Sequence, residues 1–175
     1  MIVDQLRRIE ERFGSGPIDA AMARLSPAHR RELEGMVSIS WLDVDATTAL
    51  KSLIAEEVGM TPLSFQRLIV REAIGDTVNK VWRVVLKSLW DRAIIKRAPM
   101  LYSRAFDRGE MRAETHEPGY ALFVLEGWPN MPEYNCEGLA TGMEHVLELS
   151  GRHGVRVQWR RDAPRVLFEA RWQAR

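Results

Sequence analysis

Apolar residues in the first part of the chain recur every three to four positions, and after Gly109 they alternate. Ile2, Leu6, Ile9 and Phe13 share a helical spacing, and the Gly-Ser-Gly-Pro run at 14–17 ends that segment. Ser26 followed by Pro27 is a helix start signal. Asp45 is expected to cap a helix carrying Leu50, Leu53, Ile54 and Val58, with Gly59 as its stop. Thr61-Pro62 opens another helix, and Asp76 or Thr77 is expected to cap a long one reaching about Arg97. At about 100° per residue, Val78, Val81, Trp82, Val85 and Leu89 of that long segment form one stripe, while Val84, Trp90, Ile94 and Ile95 fall outside it. A helix apolar on several faces is buried on several sides, so 77–97 is expected at the centre of the fold with one side open to a partner.

The alternating half begins with Met111, Ala113 and Thr115 set against charged neighbours. A Glu-Pro-Gly turn leads into the more apolar run "YALFVLEG". A helix over about 136–150 follows. Two further strands come next, with Val155, Val157 and Trp159, then Val166, Phe168, Ala170 and Trp172, on the inner rows. Helices followed by ββαββ predict an α+β fold: N-terminal helices and a long central helix packed on a four-stranded antiparallel sheet. The expected strands are about 110–116, 119–126, 154–161 and 165–172. The 175 residues are read as a single domain, helical to about 108 and ββαββ over about 109–175.

Composition narrows the function classes. With 46% apolar and 28% charged residues, neither disorder nor membrane insertion is suggested. The longest apolar run, 120–125, is far short of the ~20 residues of a membrane span. The acidic N-terminal segment has no secretory apolar core, and a lone cysteine fits a reducing compartment, so a cytoplasmic location is expected. A net charge of +1 argues against a dedicated nucleic-acid binder, and the arginines of the last quarter read as a solvated strand face.

Candidate chemistry centres on Cys136 and His145. With Cys136 at 0° on its helix, Leu139, Ala140, Met143, Val146 and Leu147 lie within about 80°, and His145 lies at about 180°. The two side chains therefore cannot share a proton or a metal ion. Cys136 is expected to pack as a small hydrophobe, although a first-turn position also allows a lowered thiol pKa. Gly138 and Gly142 do not follow the strand-turn-helix context of a phosphate loop, and "HRRELE" lacks the second histidine of a metalloprotease helix. Trp128, in a loop rich in Pro and Gly, is either a lid over the core or part of a contact surface.

The run "APMLYSRAFDRGEMRAE", the strand ending in "EGWP", the segment "CEGLATGM", "GVRVQW" and the last strand ending at Trp172 together resemble one superfamily. It comprises the 4-vinyl-reductase-type small-ligand domains, the haem-NO-binding-like domains and the transport-particle subunits of tethering complexes. Within it the chain is most similar to a paralogous family of myxobacterial proteins. The resemblance spans about 28–172 and implies helices on one antiparallel sheet, with small-ligand sensing or protein assembly in place of catalysis. The haem-binding relatives use a Tyr-x-Ser-x-Arg motif and a helical histidine; "YSRAF" has a different spacing and the 77–97 segment has no histidine. No cofactor, metal or catalytic residue is therefore expected. The leading expectation is a non-enzymatic signalling or assembly module, homodimeric through protein contacts. The alternative is a sensor holding a small apolar ligand between the 77–97 helix and the sheet. Candidate interface or ligand residues are Trp82, Trp90, Ile94, Trp128, Cys136 and Met143.

Overall fold

The structure, a computed structural model, describes residues 2–34, 43–77, 93 and 95–173. The chain divides into two compact units, Met1–Ala73 and Ile74–Arg175.

The first unit is helical: α1 (Ile2–Phe13), α2 (Gly16–Arg24), α3 (Pro27–Glu34), α4 (Val44–Glu57) and most of α5 (Pro62–Thr77). The expected apolar positions make its core. Ile9, Leu50, Ile54, Phe65 and Ile69 are fully buried, with Leu6, Phe13, Leu53 and Val58 packed against them. Ser26 Oγ accepts from the His29 N–H at 3.2 Å, and Thr61 Oγ accepts from the Ser64 N–H at 3.3 Å, as their positions before Pro27 and Pro62 predict. The α4 cap differs: Asp43, not Asp45, accepts, taking the Asp45 N–H at 2.6 Å. Either acid of "DVD" can cap. Starting at Val44 leaves Asp45 in the first turn, where its charge meets the positive end of the helix dipole. Arg24 forks onto Glu56 and Glu57, both at 2.6 Å, tying α2 to α4. The helix α2, absent from the sequence reading, begins with Gly16-Pro17 inside the run taken as a break.

At the end of α5, Asp76 and Thr77 are still helical. The core of the expected long helix, 78–92 and Ile94, lies outside the described residues; Ile95 is buried. The second unit continues with α6 (Ala98–Ala105), β1 (Glu110–Glu117), β2 (Tyr120–Glu126), α7 (Glu133–Leu149), β3 (Arg156–Asp162) and β4 (Arg165–Arg171). The sheet is antiparallel throughout, in the order β1-β2-β4-β3. The α+β architecture expected from the change of period is thus the one observed.

Register aligns one row of side chains across the strands: Met111, Leu125, Val166 and Arg161, then Ala113, Phe123, Phe168 and Trp159, then Ala121, Ala170 and Val157. These apolar residues are largely buried, and α7 packs on β3 and β4. An irregularity between Ala113 and Thr115 breaks the simple alternation expected for β1. Thr115 stands opposite Leu122, one place out of the row begun by Met111 and Ala113. Gly109 enters β1 at φ +72°, and a Cβ there would lie 2.8 Å from the Glu126 carbonyl oxygen. Only glycine fits that turn.

Candidate functional site

The second unit gathers its chemistry-bearing residues where α6, the 127–132 loop and the start of α7 meet the sheet. Tyr102 and Phe106, one helical turn apart, stack at 5.1 Å between ring centroids. Trp128 meets Phe106 edge-on at 5.8 Å. Tyr102 Oη donates to the Arg108 carbonyl at 2.5 Å, closing the loop between α6 and β1. Tyr102, Trp128 and Met131 are all buried.

Cys136 is fully buried, with Sγ 3.7 Å from the Met131 carbonyl oxygen. Burial pushes its thiol up to about 11, although the Arg161 charge pulls the other way. The first-turn position does not produce the low-pKa thiol that was the alternative reading, because desolvation outweighs it. Burial likewise raises Tyr102 and Tyr134 well above the ordinary phenol value. At neutral pH these are proton-bearing, packed groups.

Charged residues fasten this region. Arg161 donates to the carbonyls of Pro129 at 2.8 Å and Met131 at 2.6 Å, holding the loop to β3. Glu137 Oε2 accepts from Trp159 Nε1 at 3.0 Å, and Glu144 Oε2 accepts from the Val157 N–H at 3.1 Å, holding α7 to β3. Further along α7, His145 Nδ1 lies 3.2 Å from Glu148 Oε2, with no contact to Cys136.

The candidates from the sequence are therefore dispersed. Cys136 and Trp128 border the same packed cluster, and at 8% exposure the Trp128 indole covers the core and is not offered to solvent. Met143 is half-buried further along α7. Trp82, Trp90 and Ile94 lie outside the described residues. Tyr102, Phe106, Met131, Glu137 and Arg161 belong to this region without being among the residues the sequence pattern singles out. Two signals pointed to them: the aromatic pair four apart in 102–106, and an arginine continuing the inner row of Val157 and Trp159. Among the described residues no nucleophile sits against a base, and no three His, Cys, Asp or Glu side chains could hold a metal ion. No helix there is long and apolar enough to cross a membrane.

No protein-family profile matches the chain, and no curated protein matches it by sequence. Solved structures do. The Fe(II) unliganded H-NOX protein from K. algicida is similar at a TM-score of 0.71 and 13% identity, over 99% of this chain and 95% of that one. An oxygen-binding H-NOX domain related to soluble guanylate cyclases, in its oxygen complex, is similar at 0.63 and 9% identity, over 99% and 93%. At such identities the likeness establishes the fold, an H-NOX-like α+β arrangement.

Proposed function

We propose that the chain is a non-catalytic sensor domain holding a small apolar ligand between the 77–97 segment and the inner face of the sheet. The observation that carries this is the likeness of almost the whole chain to a fold whose solved members include an oxygen-binding domain. It favours ligand sensing over a module acting by protein contacts alone. The inner row of Leu125, Val166, Phe123 and Phe168 offers an apolar wall, and the apolar residue types of 77–97, read from the sequence, suit such a ligand.

Haem, named in two of the similar structures, finds no ligand in the residue types of 78–92 or among the histidines whose side chains the structure describes. The stretch 78–92, "VNKVWRVVLKSLWDR", contains no His, Cys, Tyr or Met to ligate iron. His145 has Nδ1 against Glu148, and its Nε2 would lie 3.6 Å from a Cβ on Gly75, facing the α5 backbone. His153 is exposed in the turn after α7, and His29 sits on α3, where Leu33 is the one buried side chain. The Cys136 thiol is protonated by burial.

Two measurements on the purified protein test this reading. Native mass spectrometry is expected to show non-covalent mass, or a thermal shift with added apolar small molecules. A Soret band that titrates to one haem per chain would overturn the exclusion of haem. A protein that takes neither would overturn the sensor reading itself.

A further inference from the structure

The short helix α6 has two contrasting sides. Tyr102 points inward, buried and bonded to the Arg108 carbonyl, which fixes the rotation of the helix. Taking Arg97 as 0° and stepping about 100° per residue, Met100, Leu101 and Arg104 fall within about 60° of it. All four are exposed, Met100 at 44% and Leu101 at 49%. Among the described residues these two are the most exposed large apolar side chains, and they are neighbours on one helix. Single exposed apolar residues are ordinary, and here two lie side by side on one helix among cations.

The segment is cationic. Arg97 and Arg104 share the face of the pair, Lys96 and Arg108 are exposed on either side of it in the sequence, and Asp107 is the single acid between 95 and 108. Arg97 reaches the Ala93 carbonyl at 3.5 Å, and none of the four cations has an ion pair among the described residues. Several other arginines are matched to acids, as Arg24 is to Glu56 and Glu57, while Arg30, Arg31 and Arg161 bond to carbonyls.

We infer that this face of α6 docks an acidic segment of a partner protein, one that sets carboxylates around one or two apolar side chains. Charge complementarity selects the occupant. Methionine and arginine are enriched at protein interfaces, and the guanidinium fork matches carboxylates in two-point contacts. A second copy of this chain is disfavoured, because a two-fold contact would set these cations against their own copies. A lipid surface is disfavoured because two aliphatic side chains on a helix of about 12 Å supply little insertion. The inference stands independently of the sensor reading.

The test uses the full chain and a fluorescent amphipathic peptide of about 18 residues, Leu on one face and Glu on the other. The expected result is saturable binding, weakened by salt and weakened roughly tenfold by either Leu101→Glu or Arg104→Glu. Both positions are exposed, so an unchanged circular-dichroism melt shows that the variants are folded. A matching Leu/Lys peptide is expected not to bind. The inference is overturned if the acidic peptide fails to bind, or if both variants bind like the wild type. It is equally overturned if anionic vesicles compete off the peptide, or if the wild type is a dimer that Leu101→Glu dissociates.

Discussion

Raising a thiol from about 9 to about 11, as burial does to Cys136, lowers its thiolate fraction at neutral pH about 100-fold. The side chain is also wholly inaccessible, so an alkylating reagent reaches it only when the start of α7 opens. Maleimide or disulfide-exchange labelling of native protein at neutral pH should therefore run at least about 100-fold slower than in denaturant. Cys136→Ala should cost on the order of 1 kcal/mol, since one small group leaves a small cavity. The sign of the pH effect follows. A folded pKa above the unfolded value stabilises fully below about 9, and that stabilisation is lost as pH rises towards about 11. The stability gap between wild type and Cys136→Ala should accordingly close and then reverse sign over that interval, as denaturant titrations at each pH would show. Native labelling within about tenfold of the denatured rate would refute the reasoning, as would a gap that stays constant across the interval.

Burial lowers Lys51 to about 8 from 10.5, so stability should rise as pH climbs from about 8 towards 10.5, and denaturant titrations of Lys51→Met should lack that rise. Gly109→Ala should cost about 2–4 kcal/mol, because the new Cβ meets the Glu126 carbonyl at 2.8 Å and Leu125 Cδ1 at 2.9 Å at positive φ. Gly14→Ala, at φ +79° but with nothing within 4 Å, should cost only about 1 kcal/mol, and comparing the two unfolding midpoints separates steric from backbone cost. Asp43→Ala should lower stability by about 1 kcal/mol through loss of the α4 cap, while Asp45→Ala should cost less in the same titration.

Much of this architecture can be read from periodicity. The strands were expected within about two residues of where they lie, because one-sided burial forces strict alternation. Buried helix stripes such as Leu50, Ile54 and Phe65 were equally plain. Features decided by a local choice among similar residues were not. Asp43 and Asp45 are the same side chain two positions apart, and the bulge beside Glu114 leaves no mark in a run of polar residues. The helix α6 was hidden by Pro99, which reads as a breaker but sits in the first turn, where its missing N–H costs nothing. At the site, Cys136 was legible as packing from its helical neighbours. The cluster around it was not, because Tyr102, Trp128 and Arg161 come from segments that only the fold brings together.

The bond from the Val157 N–H to Glu144 has a consequence for how this chain behaves in a crowded solution. β3 is an outer strand, and an open strand edge is a template on which another chain can pair. A side chain from the same molecule already takes one of its outward donors. At the opposite margin, β1 carries an irregularity and the charges of Glu110, Arg112, Glu114 and Glu117, which discourage regular pairing. Both margins of the sheet therefore resist extension into fibrils or into a continuous sheet shared between molecules.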